Sequence, residues 1–162
     1  MRPAVDSFQE GKRLLADGHS PAAVVFCATA IELFLKATVL QPIVYGLVHS
    51  AGLAEIIVKY AVSQTGFDRY RDLLSRLYQE LASLDLATVA RDGASKSLID
   101  ECKRVQELRN SIIHKGLSCS TSDADHALAV AGAVFQNIVV PMLWAIGLTV
   151  AEKGRIERRQ IA

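Results

Sequence analysis

A long uncharged stretch near the C-terminus restricts how this chain can fold. From His126 to Ala151 the sequence contains no Asp, Glu, Lys or Arg. Such a run is long enough to cross a bilayer, and it is also typical of a helix buried in a core or at a dimer interface. Gln136, Asn137 and Pro141 fall near its middle, where a lipid-facing helix tolerates them least. We therefore expect a buried helix, kinked or broken at Pro141, and no membrane span.

Helical periodicity in the rest of the chain predicts an all-α fold, a helical bundle of about five to six helices with no strand. Ser20 before Pro21 is a start signal, Ser97 and Ser122 begin capping-box-like segments, and Gly116 is a stop signal. The helices are expected at about 5–16, 21–40, 51–64, 65–82, 97–116 and 123–149, with irregular chain at 83–94. The single expected domain spans residues 1–162, with its core at about 5–149 and a basic tail at 150–162.

Composition and charge limit the class of protein further. Hydrophobic residues make up 51% and charged residues 22%, which is a globular composition. The net charge of +1 gives no global sign of nucleic-acid binding, so any RNA contact has to come from a local patch. The three cysteines are far apart and form no C-x-x-C pair, which argues against a disulfide framework or a zinc site. Because the N-terminus does not resemble a signal peptide, we expect a cytoplasmic protein. We expect no metal site and no other cofactor.

The segment Glu107–Gly116 places an arginine, an asparagine and a histidine at the end of a helix. Arg109 carries a permanent charge that suits a phosphate, and His114 can exchange protons near neutral pH. Asn110 lies four residues before His114 on the same helical face. These three are candidate catalytic residues for chemistry on a phosphate. The alternative is an ordinary helix end, where the same side chains complement the last carbonyl groups and the helix dipole.

The spacing of the two charged candidates bears on how a site would form. Arg109 and His114 are about 140° apart around a helix with 3.6 residues per turn, so they do not project in parallel. Either the long arginine wraps round the helix, or two chains pair so that both helix ends face one cleft.

A second charged pair occurs on the apolar helix at about 21–40. Glu32 and Lys36 are spaced i, i+4 in the favourable orientation for an ion pair, and nearly everything around them is apolar. They form either the thin solvent face of this helix or a polar seam that lines a pocket and supports the phosphate site.

Together these segments resemble the HEPN domain, a small all-α family common in prokaryotic toxins and defence systems. The family signature is arginine, four to six residues and histidine, and here it reads Arg109-Asn-Ser-Ile-Ile-His114. Many members also carry an E-x-x-x-K/R motif on an earlier helix, which matches Glu32-Leu-Phe-Leu-Lys36. The resemblance covers about residues 5 to 149.

The resemblance implies a metal-independent endoribonuclease whose two R-x4-H helices meet in a homodimer. By analogy, His114 would transfer protons, Arg109 would stabilise the charge on the reacting phosphate, Asn110 would position either, and Glu32 and Lys36 would support the site. The implied role is that of a toxin or anti-phage component that cleaves RNA to a 2′,3′-cyclic phosphate, with an antitoxin or other regulatory partner protein. Some toxins carry a tyrosine after the histidine, and because it is missing here, regulation by its modification is not implied. The alternative is a non-catalytic HEPN module that binds a nucleotide or another protein.

Overall fold

A computed structural model describes residues 1–35 and 67–159 of the chain. This part contains five α-helices and one two-stranded antiparallel sheet, whose strands are joined by a short 3₁₀ turn. They are α1 (Arg2–Ala16), α2 (Ser20–Leu33), α3 (Phe67–Ala82), α4 (Leu98–Lys115), α5 (Thr121–Ala145), β1 (Leu148–Ala151) and β2 (Arg155–Arg158). The all-α expectation is confirmed, because helices form the body of the fold and the sheet is one short hairpin. The helix predicted at 51–64 lies outside the described residues.

Helix α5 is the element around which the described helices pack. It contacts α1, α2, α3 and α4, and its inward-facing side chains are inaccessible to solvent. The fully buried members include Val130, Ala131, Val134, Ile138, Val139, Met142 and Leu143. By length and composition alone α5 is also apolar enough to cross a membrane, and 44% of its most apolar window is buried within the bundle. A core helix accounts for the missing charges because a charge at these positions would be buried without a partner.

Pro141 changes the hydrogen-bond pattern of α5 without ending the helix. The turn from Phe135 to Val139 is π-helical, and the N–H of Val140 bonds to the carbonyl of Phe135, five residues back. Proline has no N–H, and its ring would press on the carbonyl four residues earlier in a regular α-helix. The wider π turn directly before Pro141 relieves that conflict, so the two helical segments join as one element.

Helices α1 and α2 approach closely at Gly11. A Cβ atom at Gly11 would lie 2.9 Å from the Cys27 sulfur and 3.4 Å from the carbonyl oxygen of Ala23. Carbon contacts are most favourable at about 3.5–4.0 Å, so a side chain here would force the helices apart. Gly11 is therefore required by helix packing.

The chain between α3 and α4 is irregular, as predicted for 83–94. Gly93 adopts a φ of 73° in a turn with Asp92, and the Leu98 N–H bonds to the Val89 carbonyl at 2.7 Å just where α4 begins. Ser97 caps α4 by accepting a bond from the Asp100 N–H at 3.2 Å. The predicted start of this helix is confirmed.

Two predicted helix starts were displaced. His19 occupies the N-cap position of α2 without a side-chain capping bond, and Ser20 is the first helical residue and is buried, so Ser20 is not the cap. Helix α5 begins at Thr121 because Ser120, and not Ser122, forms the capping box with Asp123. The Asp123 N–H bonds to the Ser120 hydroxyl at 3.1 Å, and the Ser120 N–H bonds to the Asp123 carboxylate at 3.0 Å.

The prediction of a last helix to about 149 followed by a tail, with no strand, was wrong. Helix α5 ends at Ala145, and Gly147 reverses the chain with a φ of 75°. Strand β1 then pairs with β2 from Leu148↔Arg158 to Ala151↔Arg155. The Arg159 N–H bonds to the Gly147 carbonyl at 2.9 Å, and the Arg159 guanidinium lies 4.7 Å from the Trp144 ring centroid. A cation–π contact therefore helps to hold the end of β2 against α5.

Matched glycine substitutions will test the close approach of α1 and α2. Gly11→Ala and Gly132→Ala gain the same helix propensity, but a Cβ atom added at Gly132 would meet only the Phe8 ring at an ordinary 3.8 Å. We expect Gly11→Ala to be less stable than Gly132→Ala by about 1–3 kcal/mol, the usual cost of overpacking. Urea denaturation of both variants measures this difference. Equal free energies of unfolding would contradict the packing role of Gly11.

Candidate functional site

The R-x4-H segment forms the last two turns of α4. Gly116 ends the helix in the left-handed conformation, with a φ of 63°, and its N–H bonds to the Ile112 carbonyl at 3.1 Å. His114 and Lys115 lie in the last turn, where positive charge complements the helix dipole. We call residues 109–116 the Arg–His end.

The Arg–His end extends beyond the bundle core, apart from the partly buried Ile112, which packs against it. Two contacts show that helices α4 and α5 run antiparallel. Near the start of α4, a carboxylate oxygen of Glu101 lies 4.0 Å from Nε2 of His126. Farther along α4, Leu108 lines a cavity with Ser122, which is earlier in α5 than His126. At 1.5 Å per residue, the segment of α4 after Leu108 reaches about 10 Å past the start of α5. None of the residues from 106 to 123 is buried.

The three candidate catalytic side chains are accessible but are not all joined to one another. The Arg109 guanidinium donates a hydrogen bond to the Asn110 side-chain oxygen at 3.0 Å. Asn110 and His114 are exposed and Arg109 is half-buried. No hydrogen bond within the described ranges joins His114 to either of the other two. Asn110 therefore orients Arg109 in this structure, and one chain alone does not assemble all three groups.

Two large apolar side chains accompany these polar groups. Ile113 is 47% exposed and Leu117 is 50% exposed, although residues of this type normally lie inside. Ile113 lies four residues after Arg109, so the two share one face of α4. An apolar surface thus adjoins the charged groups, an arrangement typical of a surface that another molecule covers.

The earlier acidic–basic motif is described only in part. Glu32 is half-buried in the last turn of α2, and this helix contacts both α4 and α5. Lys36 lies outside the described residues, as does its pairing with Glu32. Thr29, about one helical turn before Glu32, donates a hydrogen bond from its hydroxyl to the Val25 carbonyl at 2.9 Å.

Sequence reasoning missed a charged cluster near the start of α4. Arg91, from the irregular segment, donates two hydrogen bonds to the Glu101 carboxylate at 2.8 and 2.6 Å. Glu101 is only 7% exposed, and His126 of α5 lies beside the pair, with its Nδ1 at 3.5 Å from the Arg91 guanidinium. We call these three residues the Glu101 cluster. A signal existed, since Leu98, Glu101 and Val105 follow the i, i+3, i+7 spacing of one apolar stripe.

Burial and charge determine protonation in this cluster. The hydrogen bonds from Arg91 are the main cause that lowers the pKa of Glu101, so the carboxylate stays ionised. Burial is the main cause that lowers the pKa of His126, and it outweighs the attraction of Glu101. Within residues 1–35 and 67–159, the buried Nε2 of His126 has no hydrogen-bond partner. Losing one member of a buried ion pair commonly costs about 3–5 kcal/mol, so the cluster is chiefly a structural clamp between three elements.

Acid should weaken the fold in two steps. The folded pKa of His126 lies below its ordinary value of 6.5, so the unfolded chain binds the proton more readily and stability falls as the pH drops through 6.5. The folded pKa of Glu101 lies below 4.5, so its contribution is complete above that pH and is lost as the pH falls through the folded pKa. Urea denaturation at a series of pH values measures both steps. His126→Gln should remove the first step and keep the second, and a wild-type profile that stays flat around pH 6.5 would contradict the role of His126.

Comparison of the chain with protein-family models, with curated proteins and with solved structures finds no match. Functional inference for this protein therefore depends on its own residues. The Arg–His end carries accessible side chains, Arg109 and His114, whose chemistry suits phosphate binding and proton transfer.

Proposed function

We propose that this protein is a metal-independent endoribonuclease whose site forms when the Arg–His ends of two chains meet. The observation that carries the proposal is the lack of any buried residue in 106–123, which leaves Arg109 and His114 accessible beside the apolar Ile113 and Leu117. The resemblance of both sequence motifs to the HEPN family supplies the reaction class. A role in toxicity or anti-phage defence, with a protein partner that restrains it, is part of the same proposal and rests on the resemblance alone.

The chemistry uses the RNA itself as the nucleophile. The 2′-oxygen forms a bond to the adjacent phosphorus while the bond from phosphorus to the 5′-oxygen breaks, which gives a 2′,3′-cyclic phosphate and a 5′-hydroxyl. One proton has to leave the 2′-hydroxyl and another has to reach the 5′-oxygen. The imidazole of His114 suits either transfer, because it can accept or donate a proton near neutral pH.

Arg109 and Asn110 have supporting electrostatic roles in this scheme. A guanidinium forms paired hydrogen bonds with phosphate oxygens and stabilises the charge that builds on them in the transition state. The 3.0 Å bond between Arg109 and Asn110 limits the directions in which the guanidinium can point. Asn110 is therefore a positioning residue for Arg109.

Pairing of two chains would bring an Arg109 and a His114 together although the two residues of one chain point in different directions from the helix. Their separation of about 140° at 3.6 residues per turn works against a compact site on one chain. If Ile113 and Leu117 pack against their copies in a second chain, Arg109 of one chain can approach His114 of the other. Because Ile113 and Leu117 are already about half covered, burying the rest of each would contribute roughly 1 kcal/mol per side chain in each chain to association.

Cleavage of RNA in the presence of EDTA tests the proposed activity. Purified protein should cut single-stranded RNA, and His114→Ala and Arg109→Ala should each reduce the rate by about 100-fold or more, because each removes a transition-state interaction. Lys12→Ala, an exposed lysine on α1, is the control for an altered surface charge and should retain the wild-type rate. Product ends are identified by mass spectrometry as 2′,3′-cyclic phosphates.

Two outcomes would refute the ribonuclease. Equal cleavage by wild type and both variants would mean contamination. If no RNA is cut but RNA or a nucleotide still binds, and binding is lost in Arg109→Ala, the protein is the non-catalytic module. Circular dichroism of each variant confirms that the fold is retained.

Subunit mixing tests whether the site is shared between chains. If Arg109 of one chain works with His114 of the other, a heterodimer of one Arg109→Ala subunit and one His114→Ala subunit has one complete site. Mixing the two inactive variants should then restore roughly a quarter of the wild-type rate, since about half the dimers are mixed and each has one working site of two. A mixture that stays inactive would place both groups on one chain.

Light scattering of Ile113→Asp provides the matching physical measurement. A carboxylate at the centre of the apolar surface should shift the mass from dimer to monomer and abolish cleavage. Lys115→Asp adds the same group about 200° away around α4 and should remain dimeric. A wild-type protein that is monomeric at micromolar concentration would refute the shared site.

A further inference from the structure

A small cavity lies between α1, α2 and α5, apart from the Arg–His end. Its volume is 260 Å³, and its walls include Phe8, Phe34, Phe135, Gln9, Gln136 and Gly132. Along α5, Gly132 lies about 16 Å from Thr121 at the helical rise per residue. The Arg–His end extends past Thr121, farther still from Gly132, so the cavity is a separate feature.

Three aromatic residues line the cavity. The Phe34 and Phe135 rings lie 5.4 Å apart between centroids with their planes tilted by 45°. Phe8 and Phe135 are both half-buried, so part of each ring faces the cavity. Aromatic rings attract other flat rings by offset stacking or edge-to-face contact beyond the gain from burial. The wall therefore favours a planar occupant.

Two amides provide the polar groups at the mouth of the cavity. Gln9 and Gln136 are exposed, and neither makes a hydrogen bond among the described residues. Each amide offers donors and an acceptor, and no charged side chain is among the described lining residues. The occupant should therefore carry hydrogen-bonding atoms on its edge.

Gly132 has no structural requirement that explains it. Its φ is not positive, and an added Cβ would meet only the Phe8 ring at 3.8 Å, which is ordinary contact. Glycine inside a helix costs up to about 1 kcal/mol relative to alanine. Gly11, by contrast, is required by a 2.9 Å approach. What Gly132 does provide is open space against the aromatic wall, next to a π-helical turn of the kind often found at functional sites.

We propose that this cavity binds a small, planar heteroaromatic molecule of one or two rings. The volume lies just below the roughly 300–1,000 Å³ typical of drug-sized ligands, which limits the occupant to this size. The ring stacks on Phe8 and Phe135, and its edge atoms exchange hydrogen bonds with Gln9 and Gln136. This site is independent of the proposed ribonuclease activity, so either assignment can fail alone.

The test uses indole and adenine as probes and cyclohexanol as a polar, non-planar control. Saturation-transfer NMR and isothermal titration with the full-length protein measure binding. We expect saturable binding of at least one heteroaromatic probe and none of cyclohexanol. Gly132→Leu fills the cavity and should abolish binding, whereas Ala129→Leu adds the same side chain at an exposed position of α5 and should leave it unchanged.

A surface variant keeps the test valid if Gly132→Leu does not fold. Gln136→Leu lies at the exposed mouth and should weaken heteroaromatic binding by about tenfold through loss of one hydrogen bond. The proposal is overturned if neither indole nor adenine binds saturably, or if cyclohexanol binds as well as they do. It is also overturned if binding is unchanged in both Gln136→Leu and Gly132→Leu. A change of molecular mass in Gly132→Leu without any probe binding to wild type would also overturn it, and would assign the cavity to a protein partner instead.

Discussion

The carboxylate of Glu101 fixes how the helices of this bundle lie against one another. Its two short hydrogen bonds from Arg91 hold the irregular segment before α4, and His126 of α5 packs beside this pair, 4.0 Å from the carboxylate. A buried charge that loses its partner is strongly unfavourable, so arrangements that separate Glu101 from Arg91 are penalised. The capping box of Ser120 fixes where α5 begins relative to this contact. The Glu101 cluster and the Ser120 capping box together determine how far α4 extends past the start of α5.

The uncovered length is what distinguishes the candidate site from the rest of the fold. The first half of α4 buries Leu98, Ile99, Cys102 and Val105, and its second half contains no buried residue. Ile113 is of a residue type that normally lies in the core, but it is 47% exposed. The same register therefore explains the apolar exposure and the accessibility of Arg109 and His114. A second chain is the simplest cover because a two-fold interface brings identical apolar surfaces together.

The predictable parts of this structure are those that local chemistry controls. The starts and stops of α4 followed from Ser97 and Gly116, because capping involves atoms only a few residues apart. The start of α5 was misplaced because Ser120 and Ser122 each precede an acidic residue by three positions. The sequence does not distinguish the two serines, whereas the structure shows Ser120 in the capping box. The β1–β2 hairpin was missed because its first strand continues the uncharged run of α5, with no charge to mark the change. The Glu101 cluster joins three elements distant in sequence, so spacing could indicate a buried carboxylate but not Arg91 as its partner. The residues of the candidate site were proposed from the sequence. That the Arg–His end projects from the bundle could be seen only from the packing of α4 against α5.

The division of α4 also separates stability from function. The Arg–His end is held by its own helical hydrogen bonds, the Gly116 cap and the partly buried Ile112, which packs against the core, and it has no fully buried side chain. Substitutions at exposed positions that lack such contacts usually change the free energy of unfolding by less than about 0.5 kcal/mol. The helix-dipole contribution of a charged residue in a last turn is of similar size. Selection for folding therefore places little constraint on an arginine and a histidine at these positions. Their presence beside exposed Ile113 and Leu117 is better explained by what this surface contacts than by what it stabilises.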